Sequence, residues 1–560
     1  MAATPPTPAT DAPRRKTGRH RGEGQWAVGH FTPLNANEQA KKDDDGLNVR
    51  TRIETIYSKA GFDSIDPGDL RGRMRWWGLY TQRKPGIDGG RTAVLAPEEL
   101  DDEFFMLRVR IDGGRLTTCQ LRVIGEVSEE FARGTADITD RQNIQFHWIR
   151  IEDVPEIWRR LEAVGLSTTE ACGDTPRVIL GSPVAGIAED EIIDGTPAIE
   201  EIHRRFIGDR DFSNLPRKFK SAVSGSPLLD VAHEINDVAF VGVEHPEHGP
   251  GFDLWVGGGL STNPKLGVRL GAWVPLEEVA DVFGGVIGIF RDYGYRRLRN
   301  RARLKFLVAD WGAREFRRVL EEEYLGRALV DGPAPEQPVA QWRDHVGVHR
   351  QKDGRFYVGF APRVGRVDGA TLTKIAALAE EHGSGRVRTT AEQKMIVLDV
   401  PEAQVQSLVA GLEALDLRVA PSPLPARHDG LHGHRVLQAG DRRDQGARRG
   451  AHRRTGAQTA GLRRAAHHQR QRLPQRLRPH PGGGHRSQGP AGPGRRGPPG
   501  RGLPGALGRR AGPGGRFRPQ GARPEGHFRG TARLRGAGAA PLRQGTQRRR
   551  ALRAVGGARQ

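Results

Sequence analysis

The chain has 560 residues, 88 Lys and Arg against 67 Asp and Glu, and only two Cys. That is room for three or four domains at roughly 150 residues each, and two Cys exclude a disulfide framework and do not by themselves make a metal site. The net +21 invites a reading as a basic nucleic-acid binder, but it is not spread evenly. Residues 424–560 hold 32 Arg, no Lys and four acids (Asp429, Asp441, Asp444, Glu525), a net +28, which leaves residues 1–423 at −7.

Residues 1–25 are Pro/Thr-rich and basic, with no apolar stretch of the kind a secretory signal needs. No apolar run approaches the roughly 18 residues of a membrane span. A disordered leader on a cytoplasmic protein is expected. Residues 35–61 are charged and helix-compatible, and Arg71–Arg83 (RGRMRWWGLYTQR) mixes aromatic and basic side chains. Met106–Gly114 alternates like a strand and ends in a turn signal, Glu126–Arg133 reads as helix, and Ile144–Ile151 alternates again. Val154–Val164 carries apolar residues at helical spacing.

The same order returns about 250 residues later. Arg355–Val364 is strand-like, Ala370–Glu381 helical, Lys394–Val400 strand-like and Ala403–Leu415 helical. Thr139-x-x-Gln142 matches Thr390-x-x-Gln393, and Pro155-Glu156 matches Pro401-Glu402. That offset is too long for a solenoid and implies a duplicated α+β half with a larger region between the copies. A second such region should begin near residue 424, where the Arg/Gly/Pro-rich tail stands instead.

The tail contains no Lys, Ile, Met, Trp, Tyr, Asn or Cys. An RNA- or DNA-binding arm is one reading, but two aromatics, Phe517 and Phe528, give poor base stacking. The stronger reading is GC-rich DNA translated out of frame. Reading one base forward fixes two bases of each new codon from the residues themselves. From Leu424 the shifted frame admits FRRDTMACTGIEFCKLAIVETKAR, and from His467 it admits TINVNGCPNACARIQVADIGLKGQ. Four Cys then fall at the Leu431/His432, Leu437/Gln438, Leu473/Pro474 and Leu477/Arg478 junctions, in a C-x5-C … C-x3-C pattern that suits an iron–sulfur cluster. In the frame as written there is no metal-ligand set.

Taken together, WWGLYTQR, MLRVRIDGG, ITDRQNIQFHW, TTEACGDTPRVILGSP, LPRKFK, DLWVGGGLSTNP and RDYGYRRLRNRARLKFL resemble the ferredoxin-dependent assimilatory sulfite/nitrite reductases, especially the actinobacterial sulfite reductases. The shifted-frame MACTGIEFCKLA and NGCPNACARIQ resemble that family's cluster motifs. The resemblance implies a duplicated α+β fold with two ferredoxin-like half-domains and one intact sirohaem/cluster-type domain, the second being lost to the tail. The expected boundaries are a leader at 1–25, an N-terminal extension at 26–98, half-domains at 99–168 and 340–418, the intact domain at 169–335, and the out-of-frame tail at 424–560.

By that resemblance, sirohaem bridged to a [4Fe–4S] cluster reduces sulfite to sulfide with electrons from ferredoxin, in a cytoplasmic monomer. Nitrite is the alternative substrate. The chain as written lacks the cluster cysteines, so it is expected to be inactive. Within the MLRVR strand, Arg108 and Arg110 share a face by alternation, and the family match favours Arg110 as an anion ligand. Arg177 in GDTPRV matches another. Lys218 and Lys220, two apart on an extended segment, face one way and suit sulfite binding and proton supply. The matched sirohaem contacts are Thr139, Arg141, Gln142 and Gln145, with Arg217 facing a carboxylate and Gly257, Gly258 and Gly259 letting backbone approach the macrocycle. Asp137 stands where some relatives have a basic contact. Tyr80 and Cys172 are expected to touch each other beside the site.

Overall fold

The computed structural model describes residues 35–84, 101–336 and 344–420, apart from Leu229, Thr262 and Arg297, with a few single residues between 84 and 101. The leader and the tail lie outside the described residues.

An N-terminal helix α1 (Ala36–Asp43) is capped by Asn35, whose side chain accepts from the Glu38 amide. Further helical turns through residue 77 lead to a left-handed Gly78 (φ 78°) and strand β1 (Leu79–Arg83). The first half-domain follows: β2 (Asp101–Val109), β3 (Arg115–Thr117), α2 (Thr118–Phe131), β4 (Thr135–Ile138), β5 (Ile144–Ile149) and α3 (Val154–Ala163). The middle region holds β6 (Pro176–Gly181), α4 (Thr196–Phe206), β7 (Phe219–Ser224), β8 (Val238–His245), β9 (Gly249–Val256), β10 (Val268–Val274), α5 (Val279–Tyr293), α6 (Leu304–Val319) and β11 (Val330–Asp331). The second half repeats the first as β12 (Gly347–Arg350), β13 (Phe356–Phe360), β14 (Arg366–Asp368), α7 (Gly369–His382), β15 (Arg386–Thr389), β16 (Met395–Val400) and α8 (Glu402–Ala414).

The two halves exchange strands. One sheet runs β1-β2-β5-β4-β14 and the other β12-β13-β16-β15-β3, so each takes its fifth strand from the opposite half. Both exchanged strands lead directly into helices with matching caps, since Thr117 accepts from the Gln120 amide and Asp368 from the Thr371 amide. Those helices cross at glycines: a Cβ on Gly125 would lie 2.7 Å from the Gly369 carbonyl, and one on Gly369 would lie 2.3 Å from the Gly125 carbonyl. The Gln side chains of the repeated T-x-x-Q motif clasp the same junction. Gln142 Nε2 donates to the Thr389 carbonyl (3.0 Å), and Gln393 Nε2 donates to the Ile138 carbonyl (2.9 Å). One apolar core, from Val49 through Val419, runs across both halves.

The middle region builds a six-stranded mixed sheet, β11-β10-β9-β8-β7-β6, parallel across β6–β7–β8. Its own core, including Phe219, Phe240, Phe252, Phe283 and Phe290, lies under α4, α5 and α6. Short β4 and β15, which follow α2 and α7 in each copy, are absent from the sequence expectation. They are four residues each, too short to show a period of their own.

Candidate active site

A cavity of about 500 Å³ opens where β1, β2 and β5 meet α1 and the start of β7. The sheet supplies its floor by alternation: Leu107 and Phe146 point into the core, while Arg108, Gln145 and His147 face the cavity. Ten Lys and Arg side chains line it against two acids, Asp44 and Asp174. Such a wall selects anions.

Arg108, not Arg110, is the member of its pair that lines the cavity. Its Nε donates to Gln145 Oε1 (3.1 Å) and its Nη1 to Cys172 Sγ (2.9 Å). The expectation for Arg110 is corrected by its surroundings. Arg110 is 3% exposed, its Nε donates to Asp112 (2.8 Å), and its other nitrogens donate to the carbonyls of Thr169, Glu170, Pro176 and Arg177. It braces the 167–177 loop that presents Cys172, Asp174 and Arg177. A guanidinium held by one carboxylate and four carbonyls serves the scaffold rather than the cavity.

Arg177 reaches the cavity and is held by the carbonyls of Gly173 (3.0 Å) and Ala171 (3.2 Å). Its guanidinium also hydrogen-bonds Tyr80 and neighbours Cys172. Tyr80 and Cys172 therefore both neighbour Arg177, which ties them to the site. Arg217 and Lys218 line the cavity, and Lys220 neighbours Lys218. Among the described residues, the side chains of Arg83, Arg217, Lys218 and Lys220 have no hydrogen-bond or ion-pair partner. Burial and the surrounding cations push Lys218 down to about 6 and Lys220 to about 7.

Several expected contacts are spent inside the fold. The Thr139 hydroxyl accepts from the amides of Arg141 (3.2 Å) and Asn143 (3.1 Å), closing the turn between β4 and β5. Gln142 is fully buried, exchanging two bonds with Gly181 besides the one to Thr389. Arg141 bonds Asn236 (2.9 Å) and the carbonyls of Val178 (2.5 Å) and Ser221 (3.1 Å), beside Lys220. The glycine run packs protein against protein: a Cβ on Gly257 would meet Val308 at 2.8 Å, one on Gly258 the Glu234 carbonyl at 2.3 Å, and one on Gly259 the Arg303 guanidinium at 2.9 Å. Asp137 is buried and gripped by Arg366 of the exchanged strand β14 (2.8 and 3.2 Å), and His147 Nε2 lies 3.0 Å from its Oδ2. These neighbours hold its carboxyl well below the usual range in spite of burial.

Sequence reasoning missed the contribution of the N-terminal extension. Lys41 of α1 lines the cavity, donates to the Leu215 carbonyl (2.9 Å) and lies 3.4 Å from Asp174, which Arg299 also holds. Glu38 is 2% exposed and pairs with Arg296 (3.0 Å), itself 2% exposed. The mixed aromatic and basic character of Arg71–Arg83 was the available signal.

The copy of this site in the second half is closed. Sequence register puts Gly359 where Arg108 stands and Ile396 and Leu398 where Gln145 and His147 stand. Those two and Tyr357 form an apolar cluster with Val184, Ile187 and Ala188.

Two family models match the chain. "Nitrite and sulphite reductase 4Fe-4S domain" covers residues 172–329, and "Nitrite/Sulfite reductase ferredoxin-like half domain" covers 97–164 and again 349–415. The chain is 63% identical over 402 residues to a Sulfite reductase [ferredoxin] of Mycobacterium tuberculosis H37Rv, spanning 72% of each. A Ferredoxin–nitrite reductase of Synechococcus elongatus is 36% identical over 400 residues, spanning 70% of this chain and 74% of that one. The solved structure of the Mycobacterium tuberculosis NirA protein superposes with a TM-score of 0.69 at 60% identity, over 72% of this chain and 73% of that one. Duplicated half-domains with exchanged strands, a cation-lined cavity at the first half, and these matches identify the chain as a member of the nitrite and sulfite reductase family.

Proposed function

We propose that this protein's activity is the assimilatory reduction of sulfite to sulfide with electrons from ferredoxin, in a cytoplasmic monomer. The identity of 63% to the mycobacterial sulfite reductase, against 36% to the cyanobacterial nitrite reductase, carries the choice of sulfite. Among the described residues no helix is long and apolar enough to cross a membrane.

The family implies two prosthetic groups, and the residues treat them differently. Sirohaem is a tetrapyrrole with many carboxylates, and a cavity with cationic side chains left unpaired by protein fits it. Arg83 and Arg217 are the groups to hold its carboxylates. When bound, it would supply the iron at which electrons from ferredoxin reach sulfite. The residues themselves bind and prepare the anion. Arg108 and Arg177 offer fixed N–H donors whose own orientation is set by Gln145, Ala171 and Gly173, so little reorganisation accompanies binding. Lys218, pushed down to about 6, sits near the pH at which a proton is both held and released, the condition for proton supply. Sulfite reduction to sulfide consumes protons, and Lys218 and Lys220 stand ready to pass them at Nζ.

The [4Fe–4S] cluster does not fit the chain as written. Cys119 is exposed at the start of α2 and Cys172 is buried against Arg108, and among the described residues no group of three His, Cys, Asp or Glu could hold a metal ion. We expect no turnover from this polypeptide. The test is sulfite- and nitrite-dependent oxidation of reduced ferredoxin, assayed on this chain and on one with the reading frame restored at residue 424. Restored activity with nitrite preferred over sulfite would overturn the substrate assignment.

A further inference from the structure

The Lys218 and Lys220 side chains are left to the cavity, but the strand that carries them is pinned from a neighbouring turn. We propose that Asp237, held by Arg303, is a positioning residue for this lysine pair. It fixes the backbone between them and the sheet, and its charge offsets a guanidinium that would otherwise keep Lys220 from holding a proton. The proposal rests on the sulfite-reduction reading only for the use to which that proton is put.

Strand β7 opens at Phe219, whose ring enters the core against Phe283 and Phe290 of α5. Alternation turns Lys218 and Lys220 to the opposite face. The peptide group of Lys220 is fastened twice to one residue: the Asp237 amide donates to the Lys220 carbonyl (2.8 Å), and the Lys220 amide donates to Asp237 Oδ2 (2.8 Å). Arg303, at the entry to α6, grips the same carboxylate, with Nε 3.2 Å from Oδ1 and Nη2 2.9 Å from Oδ2. Both partners are buried, and the two-pronged contact sets the carboxylate plane as well as its place.

Residues that the sequence singles out converge on this turn. Arg141 donates to Asn236 Oδ1 (2.9 Å) and to the carbonyl of Ser221 (3.1 Å), one residue past Lys220. The Gly257 amide donates to the Asp237 carbonyl and the Gly258 amide to the Asn236 carbonyl, both at 2.8 Å. A Cβ on Gly258 would lie 2.6 Å from that Asn236 carbonyl, and one on Gly259 would strike the Arg303 guanidinium. The glycine run therefore leaves room for the Asn236–Asp237 turn and for Arg303.

The charges around the pair explain why a carboxylate belongs there. Burial lowers both lysines first. Lys220, Arg177, Arg303 and Arg217 then push Lys218 down further, to about 6. Around Lys220 the signs are mixed: Arg141 and Arg303 push it down, while Asp140 and Asp237 push it up, and it rests at about 7. Without Asp237, Arg303 would stand beside Lys220 as an uncompensated cation, and the ammonium would lose its proton below neutrality. The carboxylate thus holds the two lysines apart in the pH at which each releases a proton.

The test reads the protonation of each lysine on this chain. Brief acylation with deuterated acetic anhydride across a pH series, followed by mass spectrometry of the peptides, gives a labelling midpoint for each. In the unaltered chain these should fall near 6 for Lys218 and near 7 for Lys220. Asp237→Asn keeps an acceptor for the Lys220 amide but discards the charge, so the Lys220 midpoint should move down by about one pH unit. Arg303→Met removes a cation that faces both lysines, so both midpoints should move up. A purely structural ion pair behaves otherwise: loss of either partner loosens the strand, admits water and moves the midpoints up in both variants, towards the ordinary value of about 10.4. An upward or absent shift at Lys220 in Asp237→Asn therefore overturns the proposal. Where a single variant unfolds, the double variant Asp237→Asn/Arg303→Met leaves no charge of the pair unpartnered and takes its place. In it Lys218, whose strongest charged influences are all cations, should move up while Lys220 stays near 7; equal rises at both would overturn the proposal. The labelling uses no sulfite, so a restored-frame enzyme that ignores sulfite would overturn the substrate reading and leave this one standing.

Discussion

Arg108 and Arg110 lie two residues apart on one strand, yet one serves the cavity and the other the scaffold. Arg110→Met removes the buried partner of half-buried Asp112 and of four carbonyls, and breaking a buried pair costs about 3–5 kcal/mol. Arg108→Met loses a charged donor in a half-buried cavity wall, worth about 1.5–3 kcal/mol to a bound anion. Thermal unfolding and sulfite titration of the two variants should therefore give opposite patterns: Arg110→Met unfolds early, and Arg108→Met melts normally but binds sulfite about tenfold or more weakly. Equal losses of stability in both would contradict this division.

Lys218 gives a signed pH dependence. Its folded pKa of about 6 lies below the unfolded value of about 10.4. Between those limits the unfolded chain holds a proton that the folded chain has lost, so this residue makes stability rise with pH and costs most below pH 6. Lys218→Met should raise the urea midpoint most at pH 6 and least near pH 10. A constant offset across that range would show that the charge is not the cause. Lys218 and Arg177 could be read from sequence as cavity cations because charge in a matched motif is a strong signal. The partners that Thr139, Gln142 and Gly257–Gly259 have within the protein could not be read, because a polar or glycine-rich motif looks the same whether it meets a ligand or the protein's own backbone.

At the scale of elements, the long ones were legible and the short ones were not. Helices such as Val154–Ala163 and strands such as Ile144–Ile149 carry enough residues to show their period. The exchanged strands β3 and β14 have three residues each, and their pairing with the opposite half is set by tertiary contacts that no local pattern records. Helix α1 is a related case. Its eight residues, with Lys41 on the cavity wall, are fastened through Glu38 to Arg296, some 258 residues away. Glu38→Ala leaves Arg296 buried without its carboxylate, which costs about 3–5 kcal/mol if the helix stays docked. Because α1 is short and terminal to the described fold, local release is the cheaper response. Amide exchange across residues 36–43 should accelerate by at least tenfold, while exchange in β5 stays unchanged. Unaltered protection of α1 would mean that the Glu38–Arg296 pair does not fasten it.

At the scale of the whole molecule, the formal +21 describes two unlike parts. Residues 1–423, at −7, hold the duplicated sheets and the cavity; residues 424–560, at +28, lack Ile, Met, Trp and Tyr. A tail so poor in large apolar side chains offers little surface to bury against its neighbour. Ending the chain after Pro423 should therefore leave the unfolding free energy within about 0.5 kcal/mol, the range of changes that touch nothing structural. The same truncation should abolish retention on a polyanion such as heparin, since the cationic excess resides in the tail and counterion release drives that binding. The full-length chain should bind steeply and salt-dependently without any nucleotide preference. Loss of folding on truncation would show that the printed tail packs on the protein, and would restore the basic-arm reading that its composition first invites.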